Sequence, residues 1–240
     1  MKKITSALLI SLALSGHAHA EDKHYLTLQD TADSVLLLSP PPAFDSVAFL
    51  ADKAAYEQGK YLRSTPRGAV AFSDADSSAD NVTKNFSTPF GFEINAQNTP
   101  ATYELISTMK EDAGDYATKA AKEKYNRIRP FAFFHEPTCR PDDESKLAKN
   151  GSYPSGHTAI GWSIALVLAE INPQRQNEIL KRGFDLGQSR VICGYHWQSD
   201  VDAARVVSSA VVARLHANPQ FASQLAKAKD EIAKLNQNGK

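Results

Sequence analysis

Apolar residues recur along this chain at spacings near 3.6, the mark of helices that each bury one face. Val47, Phe49, Leu50 and Ala54 predict a helix opening near Phe44, with Asp45 and Ser46 as candidate caps. Leu105, Ile106, Met109 and Ala113 share one side of a second helical stretch, residues 102–124. Residues 158–171 contain the run AIGWSIALVLAEI, apolar all round but carrying Glu170 and halted before Pro173. A bilayer needs about 20 apolar residues, so this run reads as a buried core helix. Segments 174–187, 200–215 and 219–235 continue the helical pattern. Residues 21–42 form an irregular lead-in ending in Pro40-Pro41-Pro42, and residues 64–100 read as short helices joined by loops. Residues 131–153, rich in charge and interrupted by proline, read as a long surface connection. The pattern predicts an all-α fold, a single-domain helical bundle.

The N-terminus changes where that domain begins. Lys2 and Lys3 precede an apolar run from Ile4 to Leu14, followed by the small-x-small site Ala18-His19-Ala20. This is the layout of a cleaved export signal over residues 1–20, leaving one domain over 21–240 and no membrane anchor. The full chain balances 27 basic against 27 acidic residues, and cleavage removes two lysines and no acids, giving a net charge of −2. So small a global charge argues against nucleic acid or anionic membrane as partner, and any bound anion must meet a local cluster. Cys139 and Cys193 are the two cysteines of the chain, and in an exported protein they are expected to pair. One bridge cannot replace a core, so apolar packing must hold the fold.

Three stretches carry candidate chemistry. His196 and Asp200 are four apart; on a helix that is one turn and one face. A carboxylate there can hold one imidazole nitrogen and leave the other as nucleophile or base, or the two can form an ordinary exposed polar pair. In GSYPSGHT, residues 151–158, Ser155 is a natural N-cap and Gly156 lets an anion approach the helix N-terminus beside His157. The same residues also make an ordinary capped turn. In KEKYNRIRP, residues 122–130, Lys122 and Arg129 can converge on a phosphate, whereas a charge run of this kind often marks a solvated helix end. Chemistry alone does not separate Lys124 and Arg127 from them.

The order Lys122, Arg129-Pro130, Pro154-Ser155-Gly156-His157, Ser189-Arg190, His196 and Asp200 resembles the three-part signature of the type 2 phosphatidic-acid phosphatase superfamily, which includes vanadium haloperoxidases. GSYPSGHT and LGQSRVICGYHWQSD resemble the bacterial class A non-specific acid phosphatases. The resemblance spans the signature from Lys122 to Asp200, and the flanking helices look similar too. It implies a periplasmic acid phosphatase acting on small phosphomonoesters, with transfer to alcohols as a side activity. In that reading His196 attacks phosphorus and Asp200 orients it. His157 protonates the leaving alcohol, then activates water, while Lys122, Arg129, Ser155, Gly156 and Arg190 hold the phosphate oxygens. No metal or other cofactor is implied. A homo-oligomer is compatible with the resemblance and is not established by any spacing. Magnitude favours such joint action: the slowest phosphate-monoester hydrolyses need roughly 29 kcal/mol of barrier lowering, and one oxyanion donor supplies only about 3–4 kcal/mol.

Other readings draw on other residues. Asp74 and Asp76 faintly resemble the nucleophile loop of Mg²⁺-dependent haloacid-dehalogenase-type phosphatases, but Ser78 stands where Thr or Val is expected and no strand–helix alternation follows. An acidic, serine-rich surface loop is the simpler reading. Cys193 lacks an arginine six residues on, since Ser199 is there, which excludes a tyrosine-phosphatase loop. A vanadate-dependent peroxidase or a non-enzymatic phosphate-binding protein would share the cationic pocket, though the latter has no need of a spaced His–Asp pair. Phe131, Tyr153, Tyr195 and Trp197 either line the rim or pack in the core.

Overall fold

The computed structural model describes residues 23–238, so the export-signal reading of residues 1–20 lies outside the described residues. In chain order the helices are α1 (Ser34–Leu37), α2 (Ala48–Leu62), α3 (Pro66–Ser73), α4 (Ala79–Phe90), α5 (Pro100–Glu111), α6 (Lys119–Tyr125), α7 (Pro130–Phe134), α8 (Glu144–Leu147), α9 (Gly156–Ile171), α10 (Gln176–Ile192), α11 (Gln198–His216) and α12 (Pro219–Asn238). No strand occurs among the described residues, as the periodicity predicts. Proline opens α3, α5 and α7, where its missing N–H costs no helical hydrogen bond and its fixed φ suits the first turn.

The apolar run becomes α9, and helices apolar on all sides belong at the centre. α10 and α11 pack along it, with α5 and α12 completing the surround. Leu105, Ile106 and Met109 of α5 meet Ile164 and Leu168 of α9 and Phe221 of α12 in one cluster. Truncating one of these, such as Leu168→Ala, costs about 2–5 kcal/mol. Among the described residues no helix is long and apolar enough to cross a membrane.

Three expectations need correction. α2 does not bury Val47 and Leu50, which are 83% and 58% exposed, and Ala54 also faces out. Its buried stripe is Phe49, Asp52, Tyr56 and Gly59, which apolar spacing alone passes over because one member is charged. The stretch 102–124 is not one helix, since a π-helical turn, Asp112–Tyr116, separates α5 from α6. There Asp112 is buried and accepts the backbone N–H groups of Tyr25 and Leu26 at 3.0 and 3.3 Å, pinning the N-terminal segment. Residues 131–153 are not merely a surface connection, for Phe131 and Thr138 are buried. Cys139 and Cys193 form the expected disulfide, with Cα atoms 4.6 Å apart, tying this segment to the end of α10.

Candidate active site

Three pieces of backbone bring the candidate side chains together. α6 and the turn into α7 carry Lys122 and Arg129; the start of α9 carries Ser155, Gly156 and His157; the end of α10, the turn beyond it and the first turn of α11 carry Arg190, His196 and Asp200. That last turn needs Gly194. Its φ is +82°, and a Cβ there would lie 2.4 Å from an Arg63 nitrogen.

His196 is not on a helix, contrary to the i,i+4 expectation. It precedes the N-cap residue of α11, Trp197, while Asp200 lies in the first turn of that helix. The two still meet, because Asp200 folds back as a cap: its Oδ2 accepts the Trp197 N–H at 2.8 Å and faces His196 Nδ1 at 3.4 Å. Ser152 Oγ donates to the same Oδ2 and stands 3.3 Å from Nδ1. On the other side of the ring, Arg129 Nη1 approaches Nε2 at 3.0 Å. A guanidinium can only donate, so Nε2 accepts and the ring proton lies on Nδ1, toward Asp200. The imidazole is thereby fixed with its lone pair aimed at the cationic side.

Arg129 is set by carbonyls that the 147–151 backbone wraps around it. Its Nε donates to Leu147 and Asn150 at 2.9 and 3.0 Å, and its Nη1 to Tyr195 at 3.1 Å. Lys122 Nζ donates to the Gly151 carbonyl at 2.8 Å. Arg190 differs. It is 1% exposed, its guanidinium lies 4.2 Å from the centre of the Tyr195 ring, and its Nε and Nη1 have no hydrogen-bond acceptor. Buried donors without acceptors are costly, and an anion is what would satisfy these. Burial, then the charge of Arg129, brings the Lys122 ammonium down to about 7; burial brings both Arg129 and Arg190 down to about 10, still charged at neutral pH.

At the α9 N-terminus Ser155 Oγ caps Thr158, accepting its N–H at 3.4 Å and its hydroxyl at 2.9 Å. First-turn N–H groups such as that of Gly156 have no partner within the helix. A Cβ on Gly156 would stand 3.2 Å from the Gly114 carbonyl oxygen and 3.9 Å from Lys122 Cε, a tight fit that glycine avoids. His157 Nε2 faces the Ala75 carbonyl at 3.2 Å, which places a proton on Nε2. Burial first, then the charges of Arg190 and His196, pushes the basicity of His157 well below the ordinary value, and burial, then Arg129 and Lys122, does the same to His196. Both effects disfavour the charged ring, and negative charge bound beside His157 would oppose them and favour its protonated form.

Several partners were not singled out from the sequence. Arg127, left unresolved among its basic neighbours, turns away from the pocket and binds Asp200 Oδ1 at 2.6 Å and Asp52 Oδ2 at 2.8 Å. Ser152 and the Ala75 carbonyl have no signal short of the fold. Ser189 donates to Asp74 at 2.6 Å, and Asp74 also pairs with Arg182, so the carboxylate of the haloacid-dehalogenase reading is held in structural contacts at the end of α3. Asp76 accepts the Ser78 N–H at 2.8 Å. Phe131, Tyr153, Tyr195 and Trp197 are all buried.

Known proteins resemble this chain over most of its length. Residues 113–223 match the PAP2 superfamily. The chain is 60% identical to a non-specific acid phosphatase of Providencia stuartii over 89% of its own length and 86% of the relative's. It is 43% identical to a non-specific acid phosphatase of Salmonella typhimurium, covering 97% and 93% of the two chains. An acid phosphatase of Zymomonas mobilis is 37% identical, with 98% and 89% covered. The chain belongs to the bacterial class A non-specific acid phosphatases of the PAP2 superfamily.

Proposed function

We propose that this protein is a periplasmic acid phosphatase that hydrolyses small phosphomonoesters through a phosphohistidine on His196. The observation that carries the reading is the fixed imidazole: Nδ1 held by Asp200 and Ser152, Nε2 turned toward Arg129. The export-type leader and the Cys139–Cys193 bridge support the compartment.

A phosphate entering among Lys122, Arg129 and Arg190 draws the Arg129 N–H away from Nε2 and frees the lone pair. Arg190 supplies its two unpartnered donors, and Ser155 and the Gly156 N–H serve the remaining oxygens. The Nε2–P bond forms as the P–O bond to the alcohol breaks, and the developing imidazolium charge faces Asp200. The leaving alkoxide takes its proton from His157. That proton must arrive with the substrate or be drawn in by its charge, since the free ring is neutral. Phosphate monoester dianions take up one proton at about pH 6, which favours turnover on the acid side. His157 then removes a proton from water, the oxygen attacks phosphorus, and the N–P bond breaks to restore His196. The cations do the charge stabilisation that Mg²⁺ or Zn²⁺ does elsewhere. An alcohol in place of that water would yield phosphotransfer.

Partition of the intermediate tests the scheme. With glycerol present, the ratio of glycerol phosphate to free phosphate should be the same for several different phosphomonoesters. A ratio that follows the leaving group would rule out a common phosphoenzyme.

A further inference from the structure

Behind Asp200 lies a second buried carboxylate from a distant part of the chain. Asp52, on α2 and outside the 113–223 match, is 2% exposed. Its Oδ1 accepts the Ser199 N–H at 2.8 Å, and its Oδ2 accepts the Ser199 hydroxyl at 2.6 Å and Arg127 Nη2 at 2.8 Å. Arg127 Nη1 in turn holds Asp200 Oδ1 at 2.6 Å and Ser199 Oγ at 2.8 Å. The Arg127 guanidinium lies 5.8, 6.0 and 5.5 Å from the ring centres of Phe44, Phe49 and Trp197, which fix its place.

Charge makes the arrangement informative. Arg127 alone would neutralise Asp200, leaving no net negative charge to oppose the positive charge forming on His196. With Asp52 the trio of two carboxylates and one guanidinium carries −1. We propose that Asp52 is a positioning residue for phosphoryl transfer. Through Arg127 it orients the Asp200 carboxylate and keeps its charge available to His196. The proposal rests on His196 as the nucleophile. Loss of the charge-assisted hydrogen bond that a well-placed Asp200 makes to the forming imidazolium changes the rate by about 10- to 100-fold.

The test uses rapid alkaline quench of the full-length mature enzyme with radiolabelled p-nitrophenyl phosphate. Asp52→Asn should slow phosphoenzyme formation by about 10- to 100-fold, with inhibition by inorganic phosphate changed by less than about threefold. In an Asp200→Asn background the same substitution should cost less than about threefold, because its effect passes through Asp200. Ser199→Ala loosens the same tie between α2 and α11 without changing charge, so it should lower the melting temperature and keep the rate within about threefold. A wild-type rate in Asp52→Asn overturns the proposal, as does an equal loss in both backgrounds. Even if Asp52→Asn fails to fold, a loss above about threefold in Ser199→Ala overturns the charge account. Absence of label on His196 in the unmodified enzyme would instead refute the nucleophile itself.

Discussion

Arg190→Met separates what this pocket costs from what it does. Arg190 is buried, charged and over Tyr195, with Nε and Nη1 lacking acceptors. Each unmet donor costs about 1–3 kcal/mol, so the pair costs roughly 2–6 kcal/mol in the phosphate-free protein. Loss of the contact with Tyr195 offsets about 0.5–2 kcal/mol of any gain. The variant should be more stable than the parent, by anything up to roughly 5.5 kcal/mol and by about 3 kcal/mol at the centre of that range. For a chain of this size the central value is a rise of roughly 6–12 °C in Tm. Catalysis moves the other way. Two charge-assisted hydrogen bonds to the transferring phosphoryl group are worth about 1.5–3 kcal/mol each, so kcat/KM should fall roughly 10²- to 10⁴-fold. The assay pairs thermal melts, with and without inorganic phosphate, with hydrolysis of p-nitrophenyl phosphate. Phosphate should raise the parent's Tm more than the variant's. A variant that melts lower and keeps activity within about tenfold would show that Arg190 is structural.

Lys122 is protonated below about 7 and loses its charge above that value, so competitive inhibition by inorganic phosphate should weaken about tenfold from pH 6 to 8. Lys122→Met should remove that dependence, and a parallel curve in the variant would assign it elsewhere. His157→Ala should harm alkyl phosphates far more than p-nitrophenyl phosphate, by about 10²-fold or more, since a good leaving group needs no proton. Equal losses on both substrates would deny His157 the role of acid. Reducing Cys139–Cys193 opens a link across 54 residues of sequence, and loop-closure entropy puts the cost at about 4 kcal/mol. Urea titration with and without reductant measures this, and coincident midpoints would contradict it.

The pocket was legible in the sequence because its chemistry is concentrated between Lys122 and Asp200, where residue type and order both constrain function. Ser155 at a helix N-cap and the apolar run behind it were predictable from local rules, and both hold. What local rules could not reach were partners joined only by the fold. Asp52 falls outside the apolar spacing of α2, and its place in the buried stripe shows only through its contact with Arg127, 75 residues later in the chain. Val47 and Leu50 misled because apolar spacing cannot tell which stripe of a short helix faces the core. Asp112 in the π-helical turn accepts the Tyr25 N–H from the N-terminal segment, a contact that no periodicity encodes. His196 and Asp200 meet for a reason other than the one their spacing suggested: a helix cap joins them, with His196 outside the helix.

The central claim is a phosphorus–nitrogen bond at His196, and it can be observed. Incubate the His157→Ala enzyme with radiolabelled p-nitrophenyl phosphate, quench in alkali, and map the modified peptide by mass spectrometry. Attack on this good leaving group needs no acid, whereas hydrolysis of the intermediate needs His157 as base, so label should accumulate on His196 and be lost in acid. Label on a carboxylate such as Asp74, or none while turnover continues, would contradict the account.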